Sequence, residues 1–172
     1  MTVGTVVLCP AAPGEPAVDW DDIAESLVDH GVRVVRPNVP ALHDEPGGEA
    51  LRTAHWVAHC AVSLSASSSA AGSGLREPLL LVTVGGAGPM LPALGFAQRA
   101  ARRTVGGYVL VDAALPQHGS APDWPDAPVT VLLTAAASDA ARSAALQARL
   151  RGWDTRPTPD LATELATIAL QP

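Results

Sequence analysis

The run Leu79-Leu80-Leu81-Val82-Thr83-Val84 ends on Gly85-Gly86-Ala87-Gly88-Pro89, and this junction restricts the fold more than any other stretch of the chain. An apolar run without polar alternation suits a strand covered on both faces, as in a parallel sheet between two helix layers. The glycines make a tight turn, and Pro89 followed by Met90, Leu91, Leu94 and Ala97 opens a helix. A buried strand, a sharp turn and a helix therefore stand at the centre of the chain.

The flanking sequence repeats the alternation. Thr2 to Cys9 is a first buried strand, ended by Pro10-Ala11-Ala12-Pro13-Gly14. Asp19 as N-cap, with Asp22 three residues on and Trp20, Ile23, Ala24 and Leu27 at helical spacing, predicts a helix of about three turns that stops at Gly31. Val32 to Arg36 is a second strand closed by Pro37, and Leu51 to Leu64 is an amphipathic helix. Ser65 to Gly74 reads as a flexible connection. Gly107 to Asp112 and Val129 to Leu133 are further strands, and a helix follows that runs to Arg151. A closing helix covers Asp160 to Leu170.

A chain of 172 residues is one domain by length and large enough to bury most of its apolar surface. With 48% hydrophobic but only 3% aromatic residues, its core is aliphatic. All eleven basic residues are arginine, the net charge is −6 and no basic stripe occurs, which argues against nucleic acid as a partner. No apolar run is long enough to span a bilayer, and the first strand begins without a basic leader, so no membrane partner and a cytoplasmic location are expected. Cys9 and Cys60 are read as free buried thiols rather than a disulfide. His55 and His59 have the spacing of H-E-x-x-H, but Trp56 stands where the glutamate belongs, so no metal and no cofactor is predicted.

The central junction resembles the nucleophile elbow of a group of actinobacterial α/β-hydrolase-like sequences, G-H-S-G-A-G-P-x-L-P-A-L, because Gly86-Ala87-Gly88-Pro89-Met90-Leu91-Pro92-Ala93-Leu94 follows that pattern. In this register Gly85 takes the serine position, Val84 the histidine and Thr83 the first glycine; a shift by two residues puts Ala87 there instead. Neither register supplies a nucleophile. Val111-Asp112-Ala113-Ala114-Leu115-Pro116 resembles the same group, whose strand ends in V-D-A-x-L-P. The resemblance implies a minimal α/β-hydrolase fold of about six parallel strands with helices on both faces and no cap domain, residues 1–172 forming a single domain. Arg151 to Arg156 resembles the turn and last strand of that family, after which a loop normally presents the catalytic histidine. Here Pro157-Thr158-Pro159 leads straight into the final helix, and no histidine follows His118.

A serine hydrolase needs a nucleophile, a base and oxyanion donors, and the first two are missing from their expected places. What the resemblance leaves is a pocket at the C-terminal ends of the strands, with the Gly85 and Gly86 amides facing a carbonyl oxygen. The loop Pro10-Ala11 would supply a second donor, and Asp112 would lie at the pocket edge. Proton-transfer chemistry would then use His118 as base, with His43 next. Asp139 takes the position of the family's catalytic acid, although Ser138 as N-cap with Asp139 in the first helical turn is the simpler reading. The expected function is therefore a non-hydrolytic isomerase, cyclase or lyase acting on a carbonyl-containing small molecule of specialised metabolism. The alternative is a pseudoenzyme that binds a metabolite or a partner protein, with a homodimer left open; hydrolysis through Cys9 is a third reading.

Overall fold

In a computed structural model of the chain, residues 2–38, 48–69, 74–117, 119 and 123–171 are described. The elements alternate as the apolar pattern requires: β1 (Thr5–Leu8), α1 (Asp21–Asp29), β2 (Val34–Val35), α2 (Glu49–Ser69), β3 (Leu79–Val84), α3 (Leu91–Ala100), β4 (Val105–Val111), β5 (Val129–Leu133), α4 (Asp139–Leu150), β6 (Asp154–Pro157) and α5 (Leu161–Leu170). Among the described residues the six strands form one sheet in the order β2-β1-β3-β4-β5-β6, with every pair parallel. Both faces of the sheet are covered, which is why its strands read as unbroken apolar runs. Val6, Leu80, Val82, Val109 and Leu132 point to the layer of α1 and α5. Val7, Leu79, Leu81, Leu110 and Val131 point to the opposite layer, where Trp56 and Cys60 of α2, Leu94 of α3 and Ala148 of α4 meet them. Each leucine so buried contributes roughly 2 kcal/mol.

Several boundaries differ from the sequence reading. β1 and β2 are shorter than the runs Thr2 to Cys9 and Val32 to Arg36, because pairing rather than hydrophobicity ends a strand. α1 begins at Asp21, and the Asp19 carboxylate accepts from the Asp21 amide at 2.9 Å. α2 continues through Ser65 to Ser69, where a flexible connection was expected. The Ser65 and Ser67 hydroxyls donate to the carbonyls of Ala61 and Ser63, four residues back, so serine here bonds within the helix rather than competing with it. A 3-10 segment, Gly85–Met90, lies between β3 and α3, and the α-helix opens at Leu91 instead of Pro89. No helix among the described residues is long and apolar enough to cross a membrane.

Candidate functional site

The junction after β3 is a sharp turn. Gly85 adopts φ +58°, a left-handed conformation that an L side chain enters only at a cost. The chain then coils into the 3-10 segment, so the Gly86 amide is one of the first helical N–H groups without a partner inside its helix. Below the turn, Gly88 lies against the segment that follows β4: a Cβ at residue 88 would stand 2.1 Å from the Ala114 carbonyl oxygen. The Ala114 amide in turn donates to the Gly85 carbonyl at 3.0 Å. The end of β4 is thereby locked to the elbow.

The free amide is taken by a residue that the sequence reading did not single out. Both oxygens of the Glu15 carboxylate accept from the Gly86 N–H, at 3.0 and 3.1 Å. Glu15 comes from the loop after β1, where Gly14 at φ +87° turns the chain and the Glu15 amide donates to the Ala12 carbonyl at 3.0 Å. Its carboxylate fills the space that side chains on the elbow would use. A Cβ at Gly85 would lie 3.0 Å from Glu15 Oε2, and one at Gly86 only 2.4 Å from Oε1.

Glu15, Gly85, Gly86 and Asp112 line one groove of about 670 Å³, whose far wall is α4 and whose other side is the segment Ala114 to Gln117. Asp112 sits at the end of β4 with φ +45°. Its carboxylate accepts from the Thr134 amide at 2.9 Å and from the Thr134 hydroxyl, so it clamps the ends of β4 and β5 together. Ser138 is the N-cap of α4, its hydroxyl accepting from the Ala141 amide at 3.1 Å. Asp139 is an exposed residue of the first helical turn, and the groove is lined by its neighbours Ser138 and Ala140 rather than by Asp139. Arg151, at the other end of α4, is the one cationic residue of the lining among the described residues.

Pro10 and Ala11 are not brought to this groove. They line a separate cavity of about 500 Å³ together with Trp20 and Arg36, and the Ala11 carbonyl accepts from the Trp56 indole at 3.0 Å. His118 and His43, the two bases expected from sequence, lie outside the described residues. β6 passes to α5 through Thr158, Pro159 and Asp160 alone; the Thr158 amide donates to the Leu133 carbonyl and Asp160 caps α5. Cys9 is fully buried, and burial, reinforced by the neighbouring Cys60, pushes its thiol well above the usual range, while burial takes the Cys60 thiol up to about 12. Both thiols are held in the protonated, unreactive form, which removes Cys9 as a nucleophile. Among the described residues no three His, Cys, Asp or Glu side chains gather as metal ligands would.

No family model matches the chain, and no curated protein matches it. Solved structures do. A sugar hydrolase from Lactococcus lactis superposes with a TM-score of 0.62 at 12% identity, covering 91% of this chain and 73% of that one. A protein of the alpha/beta hydrolase superfamily from Xanthomonas campestris pv. campestris gives 0.60 at 15%, covering 96% and 95%. The fold is that of the α/β-hydrolases. A lipase/esterase from Lactobacillus plantarum, at 0.57 and 12% over 91% of this chain and 76% of that one, has the same architecture. The even coverage with the Xanthomonas protein makes this a minimal form of the α/β-hydrolase fold.

Proposed function

We propose that the chain is a non-hydrolytic enzyme of the α/β-hydrolase fold, an isomerase, cyclase or lyase that moves a proton on a carbonyl-containing small molecule. One observation carries this reading: a carboxylate, Glu15, stands over the elbow where a serine nucleophile would be, on the amide that would face an oxyanion. A carbonyl oxygen entering the groove takes the Gly86 N–H, and the exposed Glu15 side chain swings off it. Glu15 then accepts a proton from the carbon next to the carbonyl; the electron pair of that C–H bond forms a carbon–carbon double bond, the carbonyl π pair moves onto the oxygen, and the Gly86 amide stabilises the enolate. Return of the proton at another atom gives an isomer. Loss of a hydroxyl as water from the adjacent carbon gives a dehydration product. His118, next in sequence to the groove-lining Gln117, is the proposed proton donor, and His43 the second candidate. In this scheme Asp112 acts by holding the groove's edge, and Asp139, Pro10 and Ala11 have no part.

The same Glu15 contact favours a second reading, a ligand-binding pseudoenzyme whose oxyanion seat is filled by its own side chain. Deleting the gene in the source organism and comparing small molecules by high-resolution mass spectrometry separates the two. The enzyme reading expects an accumulating compound, equal in mass to the lost product for an isomerase or cyclase and heavier by one water for a dehydratase. Complementation with Glu15→Gln, which keeps the side chain's shape, should leave that compound accumulating, since a general base contributes about 10²–10⁴-fold. An unchanged metabolite pattern in the deletion strain overturns the enzyme reading.

A further inference from the structure

We propose that the groove binds an elongated monocarboxylate, with the ligand's carboxylate on Arg151 and its distal end at Gly86 and Glu15. What happens at the distal end rests on the acid–base reading above, whereas the carboxylate seat has observations of its own. The groove follows α4 from its cap, Ser138, to the residue after its last turn, Arg151, so a 12-residue helix forms the wall, about 18 Å long. Between these ends the lining is mostly small and uncharged, with Ala140, Ala141 and Ala144 on the helix and Leu115 and Pro116 opposite, and Ser143, Gln147 and Gln117 are its polar members. Such walls carry no charge and accept a narrow aliphatic chain.

Charge then sets the direction. Glu15 and Asp112 are at the elbow end, engaged with Gly86 and Thr134, and neither pairs with Arg151. Among the described residues Arg151 has no carboxylate partner at all. It is half-buried, its Nη1 donates to the Pro116 carbonyl at 2.8 Å, and its guanidinium carbon lies 5.1 Å from the centre of the Trp153 ring. One hydrogen bond and one ring contact thus fix the plane of the guanidinium and leave most of its five donors for a ligand. A negative head group is repelled from the elbow and drawn to Arg151, so the carbonyl of a longer ligand comes to rest at Gly86. A monoanion matches the single positive charge; the second charge of a phosphate monoester would face the two carboxylates uncompensated.

Sodium octanoate titrated into the full ¹⁵N-labelled chain, read by NMR at the arginine Nε–H and backbone amide signals, tests this seat. Octanoate is expected to shift one arginine signal and the amides of α4 saturably, and more tightly than octanol or octyl phosphate. Arg151→Gln should weaken octanoate about tenfold or more, the scale of a lost charged hydrogen bond, and Arg151→Lys should weaken it less. Ala144→Leu, which narrows the wall and leaves Arg151 in place, should weaken it too. The proposal is overturned if octanoate does not saturate, if Arg151→Gln or Ala144→Leu binds it as the wild type does, or if octanol or octyl phosphate binds as tightly. Octanoate carries no ketone, so binding can succeed while the deletion strain shows no metabolite change, and the catalytic reading would then fall alone. A missing octanoate site beside a clear metabolite change would sink only the carboxylate seat.

Discussion

Four glycines around the elbow divide into two pairs. Gly88 and Gly95 are packed against neighbours that cannot retreat: a Cβ would stand 2.1 Å from the Ala114 carbonyl oxygen in one case and 2.3 Å from the Tyr108 hydroxyl in the other. For Gly85 and Gly86, on the groove side of the same turn, the nearest atoms a Cβ would meet are those at the end of the Glu15 side chain. The inner pair lets α3 and the end of β4 close on each other, and it serves the fold. The outer pair keeps an opening in which a carboxylate reaches a backbone amide, and it serves the site. One glycine-rich stretch thus has a half that packs and a half that faces the groove.

Replacing the inner glycines should therefore cost the most. Gly88→Ala is expected to lower the unfolding free energy by about 3 kcal/mol, the upper range for overpacking, because backbone must move on the Ala114 side and Leu110 on the other. Urea denaturation followed by far-UV dichroism reads this directly. A loss below roughly 0.5 kcal/mol, typical of tolerant surface positions, would break the distinction between the two pairs.

The inner region also predicts a response to alkali. Tyr108, the chain's one tyrosine, is buried, donates to Asp126 at 2.7 Å and has the Arg99–Asp126 ion pair behind it. Burial, and then the bond to Asp126, push its phenol well above the usual value. A folded-state pKa above the unfolded one gives stability that is complete below about pH 10 and declines as pH rises beyond it. Phenolate absorbance should accordingly appear together with loss of helical dichroism. A phenolate signal that develops while the helices persist would show Tyr108 to be open to solvent and the inner region looser than described.

The layered fold was legible because its strands are apolar on both faces and its helices have one apolar stripe, both local properties. Gly85 and Gly86 were legible as a turn for the same reason. Glu15 was not, since it meets Gly86 across 71 residues of sequence, and only the curl of the loop at Gly14 brings it there. Its one signal was a carboxylate in the proline-rich loop after the first strand, the loop that the resembled family aims at its oxyanion. Pro10 and Ala11 drew attention in that loop instead, and they turn to the neighbouring cavity with Trp20. Arg151 was assigned to a turn, and its place beside Pro116 depends on how the β4–β5 connection crosses α4. Ser138 was readable as a cap, because capping is decided within three residues.

At the outer pair, the expected effects pass from stability to chemistry. Gly85→Ser places a non-glycine residue at φ +58° and crowds Glu15, which should cost about 1–2 kcal/mol of stability. Alone it should be a poor esterase towards p-nitrophenyl acetate, because Glu15 still occupies the Gly86 amide. Adding Glu15→Ala frees that amide, and the double variant should hydrolyse the ester at least about tenfold faster than Gly85→Ser, a modest share of what an oxyanion donor supplies. Equal rates would mean that the Glu15 contact does not close the oxyanion seat.

Gly86→Ala is the smallest change in stability and the sharpest test of the comparison. Its Cβ would approach Glu15 Oε1 to 2.4 Å, a clash with the far end of an exposed, flexible side chain, and φ at this residue lies outside the left-handed region. Glu15 can leave for solvent, losing a single exposed hydrogen bond, so the unfolding free energy should change by no more than about 0.5–1 kcal/mol. The amide itself remains, now without its carboxylate. If Glu15 acts as the base, Gly86→Ala should slow turnover almost as much as Glu15→Gln while the fold persists, because its methyl group takes the space beside the elbow in which the carboxylate lies. Full turnover in Gly86→Ala would show that Glu15 does not act from the space beside the elbow, and the division between packing glycines and site glycines would lose its chemical half. A small methyl group two residues from Gly88 thus has opposite consequences at the two positions, decided by whether it meets backbone or the tip of a side chain.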